Sequence, residues 1–276
     1  MMLRLGSDVY DLSRRALVMG ILNRTPDSFY DRGRYWDLES FYSLAEKLVG
    51  EGADLLDVGG VKAGPGPEVT EDEEMDRVVP AIEGLASRFD VPISVDTWRA
   101  SVAREAYRAG ASLGNDISGF ADPKYLSEAA QAGAAVVATH IRLGPRIPDP
   151  EPVYADVVQD VSDYLRERAS WARDAGIGDS RIVIDAGLDL GKTASQSAEL
   201  LRASDQLASL GWPLLLSASN KTFLGVRFDL ELTERREATI AAHCVGVCLG
   251  CRIIRAHDVR SARRVADTVA EILQAS

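Results

Sequence analysis

A regular alternation limits this chain's fold more than any other feature: short β-rich apolar runs each give way to a run with helical period, with no low-complexity linker between them. Residues 16–22 read as a strand, and behind them Leu38, Phe41, Tyr42, Ala45, Leu48 and Val49 recur at i, i+3, i+4 and i+7, with Asp37 placed to cap the helix. Further strands are expected at 54–59, 92–95, 112–117, 134–141, 181–184, 213–218 and 252–256. Helical patterns follow them at 70–89, 99–108, 123–132, 153–175, 195–210, 233–247 and 262–273. Eight strand-helix units predict an α/β chain folded as a closed (β/α)8 TIM barrel, with residues 1–276 as one domain.

Two glycine-rich stretches invite nucleotide readings. Gly176-Ile177-Gly178 closes a helix and leads into a strand, whereas a phosphate-binding glycine loop must follow a strand and open a helix, so helix capping is its expected role. The stretch 187–193, Gly-Leu-Asp-Leu-Gly-Lys-Thr, is one residue short of a P-loop, and Asp189 within it would repel a phosphate.

The net charge of -11 disfavours a phosphate-backbone binder, a role that needs a cationic face to displace counterions, so neither nucleic acid nor an anionic membrane is an expected partner. Residues 1–15 alternate apolar with charged side chains and fit neither a signal peptide nor a spanning helix; a cytoplasmic location is expected. Cys244, Cys248 and Cys251 lie close together, but a structural zinc needs four ligands and His243 points off the shared helical face. They are expected to be small buried apolar residues, and their odd number suits a reducing compartment.

Polar motifs stand where the strands end: Asn23-Arg24-Thr25-Pro26-Asp27-Ser28-Phe29, Asp57-Val58-Gly59-Gly60, Ser94-Val95-Asp96-Thr97, Gly114-Asn115-Asp116, Asp185-Ala186-Gly187, Ser219-Asn220-Lys221 and Arg255-Ala256-His257-Asp258. In a parallel barrel one rim gathers such residues, which places Asn23, Asp96, Asn115, His140, Asp185, Lys221, Arg255 and His257 around one small molecule. Any one Asp could instead cap the next helix. Together, Asp96, Asn115 and Asp185 offer the carboxylate and amide mixture that the edge of a flat polar heterocycle needs. Arg255 and His257 alternate along the last strand and could hold an anion. Asn23 can offer an amide oxygen to magnesium (Mg2+), which takes few protein ligands and keeps phosphate oxygens and water.

In this order the motifs resemble the dihydropteroate synthase family over nearly the full length. The resemblance implies a folate-synthesis transferase fold: diphosphate leaves the methylene carbon of a pterin diphosphate, and the amine of p-aminobenzoate attacks that carbon. It implies Asn23 on magnesium, Asp96, Asn115, Asp185 and Lys221 on the pterin, and Arg255 with His257 on the diphosphate. Thr222 matches a Ser used toward the p-aminobenzoate carboxylate, which a helix start would suit. Family members pair through helices near residues 238–250, so a homodimer is expected. With Arg255 on the rim, Arg255→Ala is expected to weaken pyrophosphate binding and barely change folding.

One loop departs from the family. After Asp-Val-Gly-Gly its members carry Glu-Ser-Thr-Arg-Pro-Gly, a mobile loop, where this chain has Val61-Lys62-Ala63-Gly64-Pro65-Gly66. Each lost charged hydrogen bond is worth about 1.5–3 kcal/mol, so two or three amount to several powers of ten in rate. Arg24, Thr139, Ala186, Leu190 and Asn220 also replace Val, Met, Pro, Phe and Arg. The pattern resembles the diverged second paralogue, inactive dihydropteroate synthase 2, of some actinobacteria, and implies a pterin site with weak or absent synthase activity. Alternatives are an active synthase in which Arg24 and Lys62 replace the lost charges, a non-catalytic pterin binder, and a pterin-dependent methyltransferase, which would leave Arg255 and His257 without a task.

Overall fold

The structure, a computed structural model, describes residues 1–25 and 37–274; Pro26, Asp27, Ser28 and Phe29 of the first motif lie outside the described residues. It opens with an antiparallel hairpin of β1 (Met2–Leu5) and β2 (Asp8–Asp11). Eight parallel strands then close into a barrel: β3 (Leu17–Asn23), β4 (Leu55–Gly59), β5 (Ile93–Asp96), β6 (Leu113–Asp116), β7 (Ala135–Thr139), β8 (Ile182–Asp185), β9 (Leu214–Leu216) and β10 (Cys251–Ala256), which pairs back with β3. The TIM barrel expected from the alternation is the fold.

Side chains alternate sides along a strand, and that period of two divides the core. Leu17, Met19, Leu55, Leu113, Val137, Val183, Leu215 and Ile253 point into the barrel and form one apolar cluster. Their neighbours Val18, Leu56, Val58, Val95, Val136, Ile184 and Ile254 point outward and meet the helices. Leu3, Leu5 and Leu12 join the inner cluster, so the alternating residues 1–15 supply a plug for the barrel interior.

The helices are α1 (Leu38–Gly50), α2 (Glu71–Ala86), α3 (Ala100–Arg108), α4 (Tyr125–Ala132), α5 (Val157–Asp174), α6 (Ala194–Arg202), α7 (Ser204–Ala208), α8 (Thr222–Val226), α9 (Arg236–Cys248) and α10 (Val259–Gln274). Asp37 caps α1 by accepting from the Ser40 amide, as the sequence suggested. Gly176 follows α5 with φ of 94°, the left-handed stop that glycine permits. The pattern at 195–210 is two helices, because Ser204 Oγ donates to the Leu201 carbonyl beside the break at Ala203. No helix among the described residues is long and apolar enough to cross a membrane.

Candidate functional site

The inward parity that fills the lower barrel with leucine carries polar residues at the strand ends. Asn23 pairs in register with Gly59, Gly59 with Asp96, and Asp96 with Asn115, while Thr139 pairs with Asp185. A side chain at Gly59 would stand 3.3 Å from Asn23 Oδ1 and 3.5 Å from Asp96 Cβ, so glycine there makes room for both. Asn23, Asp96, Asn115 and Asp185 therefore end their strands around one opening, as the sequence led us to expect.

Arg255 organises this opening. Its Nε donates to Asp57 Oδ2 at 2.6 Å and its Nη2 to Asp96 Oδ2 at 2.7 Å; Asn115 Nδ2 adds a third bond to Asp57 at 3.1 Å. Asp57 is fully buried and its Oδ1 has no hydrogen-bond partner. Burial pushes Asp96 up to about 7 against the pull of Arg255, with Asp57 adding repulsion. The expectation that Arg255→Ala barely changes folding is overturned, since removal would strand two carboxylates, one of them wholly buried.

Asp185 Oδ1 accepts the Gly187 amide at 2.8 Å, and burial raises its pKa. Lys221 Nζ donates to the Leu188 carbonyl at 3.0 Å, and burial lowers its pKa. The two charges favour each other's ionised forms, so the rim holds a buried carboxylate and ammonium beside the Arg255 group. His257, just past β10, meets Ser219 Oγ through Nδ1 at 3.0 Å. Burial, Arg255 and Lys221 pull its pKa down to about 3 and keep it neutral. His257 and Asn23 line one pocket of about 480 Å³ together with Lys47, Arg236, Asp258 and Arg260.

His140 does not face the opening. It lies buried against Tyr164 at 4.7 Å between ring centroids, and its Nδ1 meets Lys192 Nζ at 2.8 Å. Strand parity explains the correction: Thr139 takes the inward position, so the next residue turns out. Lys192, from the P-loop-like stretch, donates to the carbonyls of Gly187, Leu190 and His140 and so fastens its own loop. Thr222, exposed at the start of α8, has its amide on Asp189 Oδ2 at 2.6 Å.

The divergent loop after β4 docks across the rim. Val61 is buried, the Ala63 carbonyl accepts the Arg146 amide at 3.1 Å, and the Arg146 guanidinium reaches the Pro67 carbonyl. Arg24 donates to the Arg77 carbonyl at 2.8 Å, and Arg77 to the Gly60 carbonyl at 2.9 Å, so Arg24 is tied to α2. Buried Glu74 pairs with Arg99, which holds the Val69 carbonyl at 2.7 Å. Asp57, Asp189 and Lys192 are the participants that motif reading left without a role. The inward position of Asp57, two before Gly59, was the signal for the first; the others depend on loop geometry.

Cys244 is half-buried, Cys248 exposed and Cys251 buried, so the expectation that all three are buried holds only for Cys251. Among the described residues no group of three or more His, Cys, Asp or Glu could hold a metal.

Residues 19–257 match the family model described as pterin binding enzyme. The chain is 45% identical to inactive dihydropteroate synthase 2 of Mycobacterium leprae, covering 94% of this chain and 91% of that protein. It is 42% identical to dihydropteroate synthase of Bacillus subtilis, covering 91% and 87%. The Yersinia pestis dihydropteroate synthase solved with a sulfonamide drug complex superposes with a TM-score of 0.95 at 36% identity, over all of both chains.

Proposed function

The chain belongs to the dihydropteroate synthase family of pterin-binding enzymes, and from that premise we propose that it binds a pterin or pterin diphosphate while joining it to p-aminobenzoate weakly or not at all. The observation that carries the reading is that Asp96, Asn115 and Asp185 stand at the ends of their strands around one mouth of the barrel, with Lys221 beside them. Carboxylates and an amide fixed around one opening suit the donor edge of a flat heterocycle, and burial strengthens each bond made there.

The diphosphate is assigned to the corner of Asn23, Arg255 and His257. Asn23 offers a hard amide oxygen, which fits magnesium (Mg2+) held mainly by diphosphate oxygens and water. When bound, that ion would neutralise charge on the departing diphosphate. Arg255 orients Asp96 and Asp57, and His257 is held neutral at physiological pH on the same corner. Thr222 is assigned to the side of the second reactant.

Weak turnover follows from the loop after Gly60. Val61 to Gly64 supply no acid, hydroxyl or guanidinium, and Arg24, a candidate replacement, donates to α2. The competing reading, an active synthase, is favoured by the completeness of the pterin side. One experiment separates them: titrate 7,8-dihydropterin-6-ylmethyl diphosphate with and without magnesium, then add p-aminobenzoate and follow product. Magnesium-enhanced binding with little product is expected. Absence of binding under both conditions ends the reading, and rapid product formation selects the active synthase.

A further inference from the structure

Asp189 lies in the loop between β8 and α6 with φ of 65°, a left-handed conformation that side chains other than glycine adopt rarely. Its carboxylate is held from two directions. Oδ2 accepts the amides of Thr222 at 2.6 Å and Phe223 at 3.3 Å, while Oδ1 accepts Ser197 Oγ at 3.3 Å. Its own amide donates to Ser197 Oγ at 3.1 Å, which fixes the loop that carries the charge.

The same residue lines a pocket of about 180 Å³ with Leu190, Pro65 and Ile147, between the divergent loop and the loop after β7. Two basic side chains on that pocket, Arg146 and Lys192, are engaged by the protein itself, and so is Arg142 next to its Ile141 wall. Arg142 pairs with Asp149, Arg146 donates to Pro67, and Lys192 is surrounded by the carbonyls of Gly187, Leu190 and His140. An entering carboxylate would meet a fixed negative charge beside Thr222, with these cations turned to other acceptors. Moving Asp189 aside would break three bonds to the carboxylate at once.

The geometry points to Asp189 as a specificity-determining residue that rejects a carboxylate-bearing second reactant and admits an amine without one. The inference rests on the pterin reading above, which makes this pocket the side from which the second reactant approaches. It gives the weak joining of p-aminobenzoate a cause separate from the loss of loop side chains: the acceptor that p-aminobenzoate would present is already supplied by the chain.

The test uses the full chain and two probes of equal shape, p-aminobenzoate and p-aminobenzamide, titrated calorimetrically with and without saturating pterin diphosphate and magnesium. Asp189→Asn keeps an acceptor at Thr222 and removes the charge; Asp189→Gly removes both and suits the left-handed backbone. The parent is expected to prefer p-aminobenzamide by about tenfold or more, and Asp189→Gly to bind p-aminobenzoate about tenfold more tightly than the parent, with Asp189→Asn between them. Equal p-aminobenzoate affinity in all three proteins, or none in any, overturns the role of Asp189. If all three bind pterin diphosphate while p-aminobenzoate affinity is unchanged, the functional reading stands and this inference falls. If none binds the pterin while Asp189→Gly still gains p-aminobenzoate, the functional reading falls and the role of Asp189 stands.

Discussion

Arg255 and Asp57, from the last barrel strand and the second, meet through an Nε···Oδ2 contact of 2.6 Å. Because Nη2 of the same guanidinium holds Asp96, one cation serves two acids. Arg255→Ala is therefore expected to cost about 3–5 kcal/mol of folding stability, the range for breaking a buried pair by removing one partner. Urea unfolding of parent and variant measures it, and a loss below about 1 kcal/mol would show that the contact does not hold the rim together. Adding Asp57→Asn and Asp96→Asn to the variant should recover part of the loss, since the stranded charges go with it.

His140 gives a pH prediction with a defined sign. Burial, reinforced by Lys192, holds its pKa at about 3, below the ordinary 6.5. The unfolded chain then binds the extra proton, so the stability from the neutral ring is complete above pH 6.5 and is lost as pH falls toward 3. Between pH 6.5 and 5 the parent should lose about 2 kcal/mol relative to His140→Gln, which cannot titrate. Parallel stability curves for the two proteins over that interval would refute the assignment.

Restoring the missing side chains after Gly60 should produce a gain of function. Replacing Val61 to Gly64 with Glu-Ser-Thr-Arg is expected to raise dihydropteroate formation by about tenfold or more, and Leu190→Phe to add to it. Val61 is buried, so the graft's unfolding midpoint should be recorded beside its rate. A parent turning over at about 1 per second or faster would remove the premise of a weak synthase.

A homodimer is expected through α9. Its small residues are partly used inward: a side chain at Gly246 would come within 2.4 Å of Leu216 Cδ2. The outward face offers Ala241, Val245 and Cys248, all exposed. Sedimentation at micromolar concentration should give twice 29.9 kDa for the parent, and Val245→Arg should shift it toward the monomer. A parent that sediments only as a monomer excludes this interface.

Much of this architecture was legible because strand and helix periods are local. Alternation along the chain pointed to eight units, and a period of two sent Asn23, Asp96, Asn115 and Asp185 to one rim. What was not legible depends on contacts between distant loops. Asp189 looked like a residue hostile to phosphate, but its partners Thr222 and Phe223 lie more than thirty residues on. Lys192 looked like a failed P-loop lysine, and only folding shows its ammonium among carbonyls. His140 was placed on the rim as a polar residue near the end of the expected strand 134–141, and the parity set by Thr139 turned it away.

The pairing of β3 with β10 joins residues from opposite ends of the chain, Leu17 beside Ile253. Contacts of such separation are the slowest to form, since the intervening loop must be closed before they repay its entropy. Until that seam shuts, β3 presents an unpaired edge carrying Leu17, Val18 and Met19 to whatever else is in solution. Recovery of this protein from denaturant should accordingly depend on its concentration, with dilute refolding giving the higher yield.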